Sequence, residues 1–255
     1  MLMKKITLIF LLIVAAASFA SYRSNNNLKI ILTNLTAKTD IKPGTSEYSI
    51  NFLNILPVGS ARFLPETEET YSGKKILKLQ AEAESIRLIS PIFKAKAVIE
   101  SLIDPKSGNP YIFKQKIEIS GRPNSIKEVE YDQKNNVMKI AGSSRSTLAN
   151  TQDALSAIYN LRRMDFDNVK NFEMNINTNQ KNYILTGSVA PGEVKLGNKV
   201  YRLAILRAEI KRRDKNPYHK SIVSMVLLKD AKNLPLLIKV FSSGALINVK
   251  LTDIK

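Results

Sequence analysis

The sequence predicts a mainly β protein, a single large antiparallel meander curled into a half-open barrel or sandwich and packed on one main α-helix. Most segments alternate apolar and polar residues with a period of two, which is typical of strands. Turn signals separate these segments, and about a dozen strands cannot stay flat. One stretch, from Thr151 to Phe166, has helical spacing instead. Its Leu155, Ile158 and Tyr159 fall at i, i+3 and i+4, so we expect this face to line the sheet.

The first 20 residues have the pattern of a cleavable signal peptide. Lys4 and Lys5 form its positively charged start, Ile6 to Ala17 its apolar segment, and Ser18 to Ala20 a small-x-small cleavage site. This apolar segment is shorter than the roughly 20 residues that a membrane span requires, although a retained anchor is the alternative. We therefore expect export to the periplasm or cell envelope, with a mature chain beginning at Ser21.

The mature chain is predicted to contain a lead-in segment, residues 21–47, and a single β-rich domain, residues 48–255. The apolar run Leu28 to Leu32 in the lead-in predicts a strand or a helix that covers the domain. The first two strands are predicted to meet at a corner formed by Leu56 to Val58. Their alternating residues are Tyr48, Ile50 and Phe52 before the corner, and Gly59, Ala61 and Phe63 after it.

The period of the apolar pattern also determines the secondary structure that we assign to the next segments. Ala and Glu favour a helix from Ile76 to Ile86, but strict alternation predicts a strand there. We assign the acidic residues just before it, Glu66, Glu68 and Glu69, to a loop. A hairpin corner is predicted from Ile103 to Pro110, because Asp104 and Pro105 suit the first two positions of a tight turn. Further strands are predicted at Phe113 to Ile119, Glu128 to Asp132 and Val137 to Ala141.

Six strands are predicted after the helix, and several of the last four carry apolar residues on both faces. One face of the strand from His219 to Lys229 has Ile222 and Val226, and the other has Val223 and Leu227. Neither face can be fully solvated, so one face is expected on the helix and the other on a second sheet or a lined cavity. The six strands are Phe172 to Ile176, Tyr183 to Val189, Val200 to Lys211, His219 to Lys229, Leu234 to Phe241 and Ala245 to Ile254.

The charge is strongly basic and unevenly distributed. The chain has a net charge of +17, and residues 195–255 contain 14 Lys or Arg against four Asp or Glu. Outside the cytosol the abundant polyanions are lipid headgroups and acidic polymers, so we expect an anionic-surface contact. Its predicted residues are Lys211, Arg212, Arg213, Lys215 and Lys220. Nucleic acid is not an expected partner, because few aromatic residues are present and none interleave with these cations.

Few residues suit catalysis or metal binding. There is no cysteine and one histidine, His219, which excludes thiolate and multi-histidine metal sites. A triad of Ser156, His219 and Asp153 can be written, but Ser156 lacks the G-x-S-x-G elbow of a hydrolase nucleophile. Asp153 has a simpler role near the start of the helix, where a carboxylate stabilises unpaired N–H groups. We expect neither an enzyme nor a cofactor.

Three stretches of the chain form a recognisable pattern. They are the corner Ile103-Asp104-Pro105 with Gly108 and Pro110, the helix Asp153 to Tyr159 followed by Leu161-Arg162, and Asn233-Leu234-Pro235 followed by Gly244. In this order they resemble the exported bacterial domain-of-unknown-function family 3108 over Tyr48 to Ile254. The resemblance implies a β-rich envelope protein and supplies no catalytic residue. Family members often have an Asp-Asp pair where this chain has Lys229-Asp230-Ala231-Lys232.

A curled sheet closed by a helix is also similar to the periplasmic carriers of lipoproteins, whose concave apolar face holds acyl chains. We therefore expect a non-enzymatic envelope protein that binds a lipid or another hydrophobic ligand. The alternative is a structural or adaptor protein that docks a partner protein or an anionic polymer through its basic face. A carrier needs an unfilled apolar cavity, whereas an adaptor does not.

Overall fold

The computed structural model describes residues 24–36, 44–87, 94–178, 180–213 and 220–255. Fifteen strands form one antiparallel sheet with the order β10-β11-β12-β13-β14-β15-β1-β2-β4-β5-β6-β7-β8-β9, and β3 pairs with β4 beside this path. The strands are β1 (Ser46–Phe52), β2 (Leu56–Phe63), β3 (Thr67–Tyr71), β4 (Lys74–Ser85), β5 (Ala95–Ile103), β6 (Pro110–Ile119), β7 (Ser125–Asp132), β8 (Val137–Ile140), β9 (Ser143–Ser146), β10 (Asn171–Thr178), β11 (Lys181–Leu196), β12 (Lys199–Arg212), β13 (Lys220–Leu228), β14 (Leu234–Ser242) and β15 (Ala245–Ile254).

The sheet curls without closing, because its terminal strands β9 and β10 do not pair with each other. The segment before the second helix spans the gap between them. The Gln152 N–H donates to the Asn175 carbonyl, and the Asn177 N–H donates to the Gln152 carbonyl, each at 2.8 Å. Asn182 adds a side-chain bond to the Ser146 carbonyl at 3.2 Å. The mainly β, single-sheet fold class is therefore confirmed, and the sheet is a half-open barrel rather than a sandwich of two sheets.

The described ranges contain two α-helices, not the single main helix that we expected. Helix α1 (Ser24–Thr36) lies in the lead-in segment and contacts β11, β14 and β15. Its Leu28, Ile31, Leu32 and Leu35 are buried at i, i+3, i+4 and i+7, a helical stripe that the short apolar run had only partly revealed. Neither described helix has the length and apolar character required to cross a bilayer.

Helix α2 (Ala154–Arg162) is shorter at both ends than the predicted stretch from Thr151 to Phe166. At its start, Asp153 is the N-cap residue, while Gln152 pairs with β10. At its end, Arg163 is the C-cap residue. Periodicity alone could not detect these limits, because capping and edge pairing depend on contacts with other elements.

The strand predictions were largely correct, with three differences. Of the acidic residues assigned to a loop, Glu66 lies in a loop, but Glu68 and Glu69 belong to β3, a fully exposed strand without an apolar face that alternation could reveal. The short β9 was also missed for this reason. The corner between β1 and β2 lies at Leu53 to Ile55, before the predicted Leu56 to Val58, which already belong to β2.

The two-faced strands are confirmed in the second half of the chain. Neighbouring residues that point to opposite faces are buried together, as in Leu203 with Ala204 and Met225 with Val226. These residues belong to the largest apolar cluster, which joins β10 to β15, β1 and both helices. Most of the core therefore lies in this half of the sheet.

Candidate functional site

The predicted anionic-surface residues lie at one end of the sheet. We call it the basic end; it carries the β1–β2, β6–β7, β10–β11, β12–β13 and β14–β15 turns. β12 ends with Lys211 and Arg212, and Arg213 follows it directly. The Lys211 Nζ lies 2.8 Å from Glu209 Oε2 and the Arg213 Nη2 lies 3.5 Å from Glu173 Oε1, so both charges are partly neutralised. Lys215 and His219 lie outside the described residues, and for Lys220 only the backbone, paired with Lys211, is described.

The β1–β2 turn at the same end exposes apolar side chains that the sequence interpretation missed. The side chain of Ile55 is 80% exposed, and those of Leu53 and Leu56 are each 47% exposed. The turn is held to the sheet by the Leu53 N–H, which donates to the Leu246 carbonyl at 2.8 Å. The signal was present in the run Leu53-Asn54-Ile55-Leu56-Pro57, which has no charge, but the corner had been placed too late in the chain.

The opposite end of the sheet, which we call the α2 end, carries the β5–β6 corner and the β13–β14 turn, and both of them contact α2. At the start of this helix, beside the end of β10, Asp153 forms a buried cap. Its Oδ1 accepts hydrogen bonds from the backbone N–H groups of Leu155 at 2.8 Å and Ser156 at 3.0 Å. Its Oδ2 accepts the Ser101 hydroxyl at 2.5 Å. Burial raises the pKa of Asp153 to about 6, although these hydrogen bonds act in the opposite direction. The predicted capping role is confirmed, and the contact with Ser101 of β5 adds a tie between α2 and the sheet.

Ser156 completes this cap. The Asp153 N–H donates to the Ser156 Oγ at 2.9 Å, which forms a reciprocal capping box. The hydroxyl is fully buried and occupied by helix capping. Because His219 lies outside the described residues, the structure does not describe the geometry of the written triad.

The predicted sheet-facing residues of α2 are buried to different extents. Leu155 is buried with Leu79 and Ile103, and Tyr159 packs partly buried against the same cluster. Ile158 is also partly buried. The most buried residues of the helix are Leu155, Ser156, Ala157 and Leu161.

Two of the cavities among the described residues have charged side chains in their lining. One is an open cleft of about 180 Å³ whose lining includes Glu47, Arg62, Glu84 and Lys96. The other, of about 10 Å³, lies beside Asp153, with Lys127 and Tyr131 among its lining residues, and has room for about one water molecule. Across the described ranges, no three His, Cys, Asp or Glu side chains are arranged to hold a metal ion.

The corner between β5 and β6 contacts α2 directly. Asp104 Oδ1 accepts the backbone N–H groups of Lys106 and Ser107, both at 2.8 Å, which shapes the turn. The Asn160 side-chain amide of α2 donates to the Gly108 carbonyl at 2.9 Å. The Arg163 Nη1 donates to the Pro105 carbonyl at 3.3 Å.

The β13–β14 turn contacts the other end of α2. The Asn233 side-chain amide donates to the Arg162 carbonyl at 2.7 Å and thereby satisfies a carbonyl of the last helical turn. Pro235, two residues later, accepts the buried Tyr48 hydroxyl at 3.1 Å. The family resemblance rests on the β5–β6 corner, on α2 and on the Asn-Leu-Pro segment. The corner and the Asn-Leu-Pro segment both contact α2, so the three stretches lie together in the structure.

The model of the family described as "Protein of unknown function (DUF3108)" matches residues 47–252. The chain belongs to this family. The match confirms the predicted resemblance to family 3108 and includes β2 to β14 in full and most of β1 and β15. It leaves α1 outside the DUF3108 region, although four of its side chains are buried in the main apolar cluster.

Two solved structures are similar to this DUF3108 protein. A "Beta-barrel-like Protein of Domain of Unknown Function DUF1849 from Brucella abortus" has a TM-score of 0.53 at 10% identity, covering 83% of this chain and 97% of that one. This likeness shows a shared β-barrel-like fold. A DUF1089 family protein from Pseudomonas aeruginosa has a TM-score of 0.35 at 10% identity, covering 67% and 86%. A comparison with curated proteins gave no match.

Proposed function

We propose that this DUF3108 protein is a non-enzymatic envelope protein that binds a hydrophobic ligand, such as the acyl chains of a lipid, against the apolar sheet face that α1 covers. The observation that carries the proposal is the position of α1. This helix lies outside the family region, yet it buries Leu28, Ile31, Leu32 and Leu35 in the apolar cluster that includes β11, β14 and β15. The signal-peptide pattern and the absence of cysteine support export to the bacterial envelope.

An acyl chain can compete with α1 for this face. A helix of 13 residues is marginally stable by itself, so α1 depends on its four buried side chains. Their burial contributes about 6 to 12 kcal/mol, and burial of an acyl chain of about 14 carbons contributes about 11 kcal/mol. Because the two contributions are of the same size, a bound lipid can replace the helix.

The first test is native mass spectrometry of the protein purified gently from the envelope of its host, followed by solvent extraction and lipid analysis. We expect a stoichiometric lipid. A fluorescent fatty acid then tests the role of α1 in two delipidated variants. The double substitution Leu28→Ser and Leu32→Ser weakens the buried stripe, and we expect it to bind the probe at least tenfold more tightly than the wild type.

The matched control carries Lys29→Ser and Asn34→Ser on the exposed face of α1 and should bind the probe like the wild type. A protein that is purified without lipid, combined with no probe binding by either variant, would contradict the proposal. If the two variants bound the fatty acid with equal affinity, its site would not be the sheet face beneath α1.

A second function, that of a structural or adaptor protein, is favoured by the open cleft whose lining includes Glu47, Arg62, Glu84 and Lys96. This cleft has about 180 Å³ and charged lining residues, whereas small-molecule pockets usually have about 300 to 1,000 Å³ and mostly apolar linings. An adaptor does not require a larger cavity. A protein that stays free of lipid but retains a partner protein during purification would support this alternative.

A further inference from the structure

The β1–β2 turn concentrates exposed apolar surface at one point of the basic end. Five consecutive residues, Leu53 to Pro57, are exposed, and Asn54 is the one polar member. Single exposed apolar side chains are common on protein surfaces, but Leu53, Ile55 and Leu56 are three exposed apolar side chains within four consecutive residues. Leu53 and Ile55 lie in the turn itself, and Leu56 is the first residue of β2.

The backbone of this turn makes the choice of leucine costly. Leu53 has φ 50° and Asn54 has φ 65°, and the Ile55 N–H donates to the Phe52 carbonyl at 3.2 Å. Two successive positive φ values define a tight hairpin turn that favours Asn, Asp or Gly. A bulky side chain is disfavoured at such an angle. Neither local geometry nor solvation therefore accounts for Leu53, and contact with a partner would.

Basic residues flank this turn on both sides. On one side, Arg87 follows Ile86, whose N–H bonds to the Val58 carbonyl of β2, and Lys94 and Arg122 lie at the same end of the neighbouring strands. No carboxylate of the described residues forms an ion pair with these three cations. On the other side, beyond the uncharged β14–β15 turn, Lys211 and Arg212 end β12 and Arg213 follows them.

We infer that the basic end docks on an anionic phospholipid bilayer, with Leu53, Ile55 and Leu56 inserted into the interfacial region and the flanking cations against the headgroup phosphates. The apolar side chains of the β1–β2 turn suit the boundary between the headgroups and the acyl chains, and the flanking basic side chains suit the headgroup phosphates. A second copy of the chain fits less well, because a net charge of +17 makes two basic ends repel each other. The docking surface is separate from the face beneath α1, so vesicle binding and fatty-acid binding can fail independently.

The test is co-sedimentation of the protein, purified from its host, with vesicles of phosphatidylcholine alone or mixed with an equal part of phosphatidylglycerol. We expect binding to the mixed vesicles that decreases with added salt. The triple variant Leu53→Asn, Ile55→Ser and Leu56→Ser should bind them about a hundredfold less tightly. This corresponds to about fivefold for each side chain that becomes half-buried in the bilayer on binding. Leu53→Asn suits the left-handed backbone, so the variant should fold, and its thermal unfolding verifies this.

The matched control is Val200→Ser, since Val200 is also 47% exposed but lies at the β11–β12 turn, at the α2 end. It should bind like the wild type. The substitutions Arg87→Gln, Lys94→Gln and Arg122→Gln should each weaken binding about fivefold. The inference would be overturned if the triple variant bound the mixed vesicles as tightly as the wild type. It would also be overturned if the wild type did not bind these vesicles. A third contrary result would come from light scattering, if the wild type self-associated and the triple variant did not, because the turn would then bind a second copy of the chain.

Discussion

Asp153 shows how a single buried residue can make stability depend on pH. Its carboxyl has an ordinary pKa of about 3.9 in an unfolded chain, and burial raises the pKa to about 6 in the folded protein. The folded state therefore binds the proton more tightly than the unfolded state. The resulting stabilisation is complete below pH about 4 and is lost as the pH rises through about 6.

The substitution Asp153→Asn removes this ionisation and keeps a side-chain oxygen for the N–H groups of Leu155 and Ser156. We compare the free energy of unfolding of the wild type with that of this variant. The wild-type value minus the variant value should decrease by about 2 to 3 kcal/mol between pH 4 and pH 7. Urea unfolding at a series of pH values measures the difference. The control is Asp132→Asn, because the Asn135 side chain lowers the pKa of the exposed Asp132 and the corresponding difference should change in the opposite direction. A difference that does not vary with pH would show that Asp153 has the same pKa in the folded and the unfolded protein.

At the scale of elements, the β5–β6 corner and α2 fit together at Gly108. This residue has φ +72°, and a Cβ atom there would overlap the Asn160 side chain. The overlapped amide is the group that donates to the Gly108 carbonyl and to Gln152 Oε1. A side chain at Gly108 therefore both strains the turn and breaks the contact between the corner and the helix.

Two glycine substitutions separate these effects. Gly142 has φ +77° with open space around its Cβ position, so Gly142→Ala introduces backbone strain alone, about 1 kcal/mol. Gly108→Ala adds the overlap with Asn160, and we expect a total loss of about 2 to 4 kcal/mol. Chemical unfolding of both variants measures the two losses. Equal losses would mean that Asn160 moves aside without cost, and the further substitution Asn160→Ala should then leave Gly108→Ala unchanged.

The elements that could be predicted from the sequence are those whose signal is local. The Asp-Pro corner and the alternation in β4 carry their own turn and strand chemistry, and both were located correctly. The edge strand β3 has no buried face, so apolar alternation could not reveal it. For the candidate site, the basic residues at the end of β12 were identified, but the apolar turn was placed three residues too late. The burial of Asp153 depends on Ser101, 52 residues earlier in the chain, and no local pattern contains that contact.

At the scale of the whole molecule, the core is divided unequally along the curled sheet. The largest apolar cluster joins β10 to β15 and β1 with both helices, whereas Phe113, Val129, Tyr131 and Met138 form a small separate cluster in β6, β7 and β8. Beyond them, β9 is fully exposed and ends the sheet. The gap between β9 and β10 is spanned by a few hydrogen bonds, including the one from Asn175 to the Ala149 carbonyl at 2.8 Å. The edge formed by β8 and β9 should therefore open before the rest of the sheet.

Native-state hydrogen exchange tests this order of opening. We expect the amides of β8 and β9 to exchange at least a hundredfold faster than the hydrogen-bonded amides of β12, β13 and β14, because opening the edge exposes little apolar surface. The substitution Asn175→Ala removes a side-chain bond across the gap and should speed exchange in β9 without changing it in β13. Its control, Asn124→Ala, lies in the exposed β6–β7 turn and should change neither strand. If β9 and β13 exchanged at the same rate, the gap would be as stable as the main core and the sheet would behave as a closed barrel.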